Sequence, residues 1–248
     1  SKDKALCIAQ AQVHFAKSEA MFLKLKEMGY EPGQPLPDIA ANPRTNTALA
    51  ALVKDQRAGI ISGFLSGLRL GRVLREDWLC LNAAAYLWNY HLPLFKSGQL
   101  EDLYEALEET VGTLLLCVSK DARLFASLAD GLACALEQRH AGGEATALYP
   151  PDTLEDAPAL GDATCLGHGQ AVCKAAINEY DPDKMTPMIS KRAAATLARL
   201  QFIAGGGGAG VVLEDKEETQ LMMLLEVMAL DKDGKAEWVD KAMGVLPS

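Results

Sequence analysis

Positive charge is in short supply in this 248-residue chain: 24 Lys and Arg stand against 33 Asp and Glu, a formal net charge of -9. Binding to a phosphate backbone depends on Lys and Arg displacing counterions, and no long basic block offsets the deficit locally, so nucleic acid is excluded as a partner. Aromatic residues make up only 6% of the chain, and no segment reads as a convincing strand. Val211 to Leu213 is too short to build a sheet. Long hydrophobic runs are missing too. The most apolar helix-like stretch, Ala58 to Leu68, covers roughly 11 residues where a membrane helix needs about 20, so no membrane partner is expected. The start lacks a charged n-region followed by an apolar h-region, so no signal peptide is read, and the absence of an initial Met suggests a fragment. The six cysteines, Cys7, Cys80, Cys117, Cys134, Cys165 and Cys173, lack the density of a disulfide scaffold. Reduced thiols in a cytoplasmic compartment are the expectation.

What is present is Ala- and Leu-rich: 49% of residues are hydrophobic and 23% charged. Such a composition suits helices, where Ala and Leu lose little side-chain entropy. In Ala5 to Met28, the residues Leu6, Ala9, Val13, Ala16, Ala20 and Leu23 step by three and four and line one face, while Ile8, Phe15 and Phe22 form a second stripe. Both stripes are expected to meet neighbouring helices. Gly29 stops this helix, and Glu31 to Ala41, with three prolines, reads as a loop. Asn42-Pro43 is expected to start the next helix, with Asn as N-cap and Pro at the first helical position.

That second helix carries Gly59, Gly63, Gly67 and Gly71 at intervals of four. A mid-helix Gly costs about 1 kcal/mol against Ala, so a ridge of them points to a close helix contact, the plainer alternative being a break at Gly59 or Gly71. Glu76 to Phe95 reads as a helix with Trp78, Leu81, Ala85, Trp88, Leu92 and Phe95 on one stripe and Leu79, Tyr86 and Tyr90 on another. Leu100, Leu103, Tyr104, Leu107, Val111, Leu114, Leu115 and Val118 follow as an amphipathic run, and Glu108-Glu109 is expected on its solvated face. A helix starting at Ser119 to Asp121 and ending near His140 is expected to pair with it antiparallel. Residues 141–162, with Gly-Gly and three prolines, read as a loop or disordered linker. Beyond it, helices are expected from Asp162 as cap to about Tyr180, from Thr186-Pro187 to about Ala204, from about Glu214 to Leu230 and from about Lys235 to Met243, with 205–210 as a Gly-rich spacer.

Three patterns invite a chemical reading and each has a plainer one. Gly205, Gly207 and Gly210 satisfy the spacing of a dinucleotide-binding turn, but they follow a helix rather than a strand, and a linker explains them. Asp231, Asp233, Gly234 and Asp240 resemble a calcium loop, but with Gly234 at the sixth position the first ligand would be Ala229. Cys165, His168 and Cys173 offer zinc chemistry without a fourth ligand, where buried helix-face cysteines suffice. No base, nucleophile and orienting group occur together in a known catalytic motif, although His14, His91, His140 and His168 are available as bases. No catalytic residue, cofactor or metal site is therefore assigned.

The segment Trp78-Leu79-Cys80-Leu81-Asn82-Ala83-Ala84-Ala85-Tyr86 resembles the first helix of a tetratricopeptide unit: Trp78 and Leu81 match, Asn82 replaces the usual Gly, and Tyr86 falls one place late. With its continuation Leu87-Trp88-Asn89-Tyr90 it also resembles the large tetratricopeptide-type cilia- and flagella-associated proteins of the axonemal central apparatus. The resemblance covers Glu76 to His140. It implies an all-α fold, an α-solenoid of antiparallel helix pairs in a degenerate tetratricopeptide-like form. It also implies a non-enzymatic scaffold in a central-pair projection of the cilium or flagellum, partnered by other scaffold proteins, calmodulin and a microtubule-associated assembly. The expected organisation is a helical-repeat segment over 1–140, the linker 141–162, and further helices over 163–248. Gly59, Gly63, Gly67, Trp78, Trp88 and Tyr90 are the expected packing or interaction residues. The alternative is a helical enzyme or regulatory ligand-binding domain with a site between the two halves.

Overall fold

The computed structural model describes residues 2–143, 164–179, 187–214, 217–231 and 234–245, and among them the fold is all-helical, with no strand. The expectation of a linker over 141–162 falls almost wholly outside the described residues, as do Asp162 and Thr186 as helix starts. Nine α-helices are present among the described residues: α1 Lys2–Glu27, α2 Pro43–Leu74, α3 Asp77–Ser97, α4 Tyr104–Leu116, α5 Ala122–Ala141, α6 Cys165–Asn178, α7 Pro187–Ala204, α8 Glu217–Leu230 and α9 Lys235–Val245. Among the described residues no helix is long and apolar enough to cross a membrane. The chain forms two compact units, Ser1–Gln99 with Gly112–Lys120, and Leu100–Val111 with Asp121–Ser248.

Local chemistry sets the helix ends. Asp121 accepts a hydrogen bond from the Leu124 amide at 3.0 Å, the N-cap of α5. For α6 the cap is Thr164, whose hydroxyl accepts from Gly167 N–H at 3.1 Å. Gly98, with φ of 70°, ends α3 in the left-handed conformation that a side chain would strain. Asn42 makes no side-chain cap on α2. Instead Asn46 Nδ2 donates to the Asp38 carbonyl at 2.6 Å, which ties the helix start to the preceding loop. Arg57 holds the rest of that loop: its guanidinium donates to the carbonyls of Tyr30, Glu31 and Gln34 at 2.8 to 3.2 Å. A proline-rich segment that makes few ladder bonds of its own is thus ordered by one fork of donors.

In the first unit α2 runs unbroken for 32 residues and packs on both α1 and α3. Its glycines mark the contacts. A Cβ at Gly59 would stand 2.5 Å from Met21 Cε, one at Gly63 would collide with the Ser18 hydroxyl and lie 3.2 Å from the His14 carbonyl, and one at Gly67 would enter the Phe15 ring. One turn further on, a Cβ at Gly71 would lie 2.8 Å from Leu79 Cβ on α3. The ridge faces inward, and α1 and α3 come close because nothing projects from it. The buried face of α1 is Ala11, Phe15, Ser18 and Leu25. The first stripe read from the sequence, Leu6 to Leu23, is not covered: Leu6 is 69% exposed and Val13 66%.

In the second unit α5 packs on α6 and α7, α6 on α7, α7 on α8, and α8 on α9. Where the hairpin expected between Leu100 and His140 would have its open end, the Leu100 amide donates to Gln138 Oε1 at 3.4 Å and the Arg139 guanidinium lies 4.3 Å over the Tyr104 ring. Leu107 and Leu132 are both buried. The Glu108-Glu109 face of α4 is not solvated. Both carboxylates are 7% exposed, and Thr110 and Thr113 are buried beside them, so α4 is enclosed where amphipathy promised water.

Because Gly67 has Phe15 in the place of its missing Cβ, Gly67→Ala should lower unfolding stability by about 1–3 kcal/mol, overpacking outweighing the gain in helix propensity. Gly244→Ala, which meets nothing within 4 Å, should be neutral or raise stability by up to about 1 kcal/mol. Urea unfolding of the two variants beside the parent chain measures the contrast.

Candidate functional site

The expected interaction residues fall in the first unit, in three different surroundings. Gly59, Gly63 and Gly67 form the ridge of α2 against α1; Gly67 is buried, and Gly59 and Gly63 are partly exposed. Tyr90 sits beside them in an aromatic cluster: its ring lies 4.5 Å from Phe22 edge-on and 5.5 Å from Phe64, and Tyr86 stacks on Phe64 at 5.3 Å and tilts against Phe15 at 5.2 Å. The cluster closes the space that the glycines open. Trp88 stands apart from these rings, paired with Phe95 at 4.4 Å. Trp78, 41% exposed, donates from Nε1 to Glu76 Oε2 at 2.8 Å, and Lys4 of α1 pairs with the same carboxylate.

Tyr90 reaches two features at once. Its hydroxyl donates to Glu19 Oε1 at 2.5 Å, across from α3 to α1. Burial and then that bond to a carboxylate hold the Tyr90 phenol well above its ordinary range, so it stays a donor at any physiological pH. Its ring also lines an open groove of about 430 Å³ with Phe22, Leu92, Pro93, Lys26 and Lys96. Asn89 and Glu31 complete its lining, so apolar rings and chains share it with two lysines and one carboxylate. Nothing in the helical period pointed to it, because its wall joins the ends of two helices and the loop residue Glu31.

His91, one of the four candidate bases, is sealed inside α3 at 2% exposure, and its Nδ1 donates to the Leu87 carbonyl at 2.9 Å. Burial pushes it down to about 4, against the small opposing effect of that bond. A neutral imidazole with its one donor committed along its own helix is a core residue.

The second unit holds buried polar groups that bridge helices. His168 Nε2 of α6 stands 2.8 Å from Glu108 Oε1 of α4. Asp130 of α5 accepts from the Thr196 hydroxyl at 2.7 Å and pairs with Arg192 at 3.1 Å, both on α7. Arg199 of α7 donates to both Glu137 oxygens at 2.8 and 2.9 Å and to Glu226 of α8 at 3.1 Å. Burial disfavours the Arg199 cation, but the two carboxylates more than offset it and hold the group above its ordinary range. The zinc reading of Cys165, His168 and Cys173 has no support in this arrangement: among the described residues no three His, Cys, Asp or Glu side chains are grouped for a metal. Cys173 is fully buried, and burial holds its thiol well above the ordinary range.

The Gly205 to Gly210 turn packs its own backbone, since a Cβ at Gly205 would lie 2.6 Å from Gly210 Cα. In the calcium-like segment Asp231 is engaged in the turn itself, accepting from Gly234 N–H at 2.9 Å and from Trp238 Nε1–H at 3.0 Å. Asp233 lies outside the described residues.

An exposed apolar stripe runs along the outer face of α1, where Leu6, Val13 and Leu23 are 56 to 69% exposed and Ala9, Ala16 and Ala20 between them are exposed as well. Their three-four spacing was legible in the sequence; that they face outward was not. No family model matches the chain, and neither the curated proteins nor the solved structures give a match.

The depression of His91 gives a pH dependence with a fixed sign. The unfolded imidazole titrates near 6.5 and the folded one at about 4. Its contribution to stability is therefore whole above pH 6.5 and is lost as the pH falls from there toward 4. Between pH 7 and 4.5 the parent should lose about 2–3 kcal/mol more than a His91→Phe variant, read from urea unfolding at the two pH values.

Proposed function

We propose that this chain is a non-enzymatic helical-repeat scaffold, an α-solenoid of antiparallel helix pairs in a degenerate tetratricopeptide-like form, and that it works by presenting helix faces to other proteins. The observation that carries this reading is the serial order of packing. Within the first unit α1 packs on α2, α2 on α3, and α1 also on α3; within the second, α5 to α9 pack each on the next, with α5 also against α7. Stacks built by adding one helix to its predecessor bury a continuous core and leave outer faces free for partners, and their end helices carry apolar surface that a further unit can cover. The helix lengths depart from the 34-residue unit, since α1 and α2 run to 26 and 32 residues.

The buried polar groups support the same reading. His91, His168, Glu108 and Asp130 are each 7% exposed or less, and their bonds run along or between helices, which is the arrangement of groups that specify packing. The ciliary setting, with a central-apparatus projection, calmodulin and microtubule-associated chains as partners, rests on the resemblance over Glu76 to His140 alone. Affinity purification of the full-length protein from its own cell tests both parts. Co-purification of axonemal scaffold chains in constant proportion is the expected result; recovery of a small ligand with turnover of that ligand would overturn the scaffold reading.

A further inference from the structure

The outer face of α1 is a seam with its own period. Leu6, Ala9, Val13, Ala16, Ala20 and Leu23 follow one another by three, four, three, four and three residues, which is the heptad spacing that keeps one stripe of a helix against a partner helix. The seam is about 26 Å long at 1.5 Å per residue. It lies opposite the Ala11, Phe15, Ser18 and Leu25 face that packs inside the unit, so the contacts with α2 and α3 leave it open.

The spacing of this seam is the same from either end, and so are its two outer layers; only the central pair, Val13 and Ala16, differs in size. Laid antiparallel on a second copy about the point between Val13 and Ala16, Leu6 meets Leu23 of the other copy, Ala9 meets Ala20, and Val13 meets Ala16. The Ala–Ala layers let the two backbones approach closely between the larger end layers. The charges follow the same rule. One layer beyond Leu6 and Leu23, Lys2 falls opposite Glu27 of the other copy, and on one flank Asp3 falls opposite Lys24; all four are exposed. On the same flank Lys17 falls opposite Gln10. No like charges oppose each other in this arrangement, whereas a parallel in-register pair would set Lys2 on Lys2 and Glu27 on Glu27.

We infer that α1 is a homodimerisation helix: two copies of this chain pair through their α1 outer faces, antiparallel and two-fold symmetric, with Val13 and Ala16 at the axis. A self-complementary patch is what an isologous interface requires, because each contact is made twice. The occupant is a second copy rather than an unrelated helix because both the apolar order and the end charges are matched by α1 itself.

Sedimentation equilibrium of the full chain from about 1 to 100 µM tests it, and should return twice the 26.6 kDa of one chain at the upper end. Val13→Glu, at a position already 66% exposed, should weaken self-association at least tenfold with unchanged helix content by circular dichroism, and Ala16→Glu should do the same. Orientation is read by disulfide trapping in a Cys7→Ser background: a mixture of Ala9→Cys and Ala20→Cys chains should cross-link on mild oxidation, and neither variant alone should. A chain that stays monomeric throughout, as it would if a different protein covers α1, overturns the inference. So does a dimer indifferent to both Glu variants, or cross-linking of Ala9→Cys with itself.

Discussion

The close approach of three helices along the side-chain-free ridge of α2 is the constraint on which the first unit depends. Gly63 admits the Ser18 hydroxyl and the His14 backbone, Gly67 admits the Phe15 ring, and Gly71 admits Leu79 and Cys80. The room that the glycines leave on α2 is filled from its neighbours, and the Phe15 ring carries that filling into an aromatic cluster beside the ridge. There Phe15, Phe22, Phe64, Tyr86 and Tyr90 collect. Tyr90 then has Glu19 within reach, and the groove beside it inherits an aromatic wall. Each glycine carries a propensity cost of about 1 kcal/mol, and the packing it permits offsets that cost.

The second unit solves the same problem with polar contacts. Its helices meet through Asp130 with Thr196 and Arg192, through Glu108 with His168, and through Arg199 with Glu137 and Glu226. Such pairs add less net stability than apolar packing of equal area, because desolvation opposes the attraction. They are selective in another way: a carboxylate buried without its partner is costly, so a helix docked out of register meets a penalty that an apolar face would not impose.

Much of this was legible in the residues, and the failures share one cause. The helical class, the α2 start at Pro43 and the α5 start by Asp121 each rest on chemistry within a few residues. Periodicity also told which residues of α1 share a face. It could not tell which face is covered, because α1 carries two seams of the same period and the choice is made by α2, whose glycines accept Phe15 and Ser18. Glu108 and Glu109 were placed in water for the same reason, since nothing near them in the sequence brings His168, 60 residues on, to a carboxylate. The Thr164 cap lay two residues from the expected one. Tertiary partners decide these points, and one chain read alone does not name them.

Arg199 links the helices of its unit in a way that bears on how they come apart. Its guanidinium is shared between Glu137 on α5 and Glu226 on α8, while its own backbone belongs to α7. Release of α8 would leave a part-buried cation with half of its counter-charge, and the loss would be felt at once in the pairing of α5 with α7. One side chain thus couples the α5–α7 contact to the α7–α8 contact.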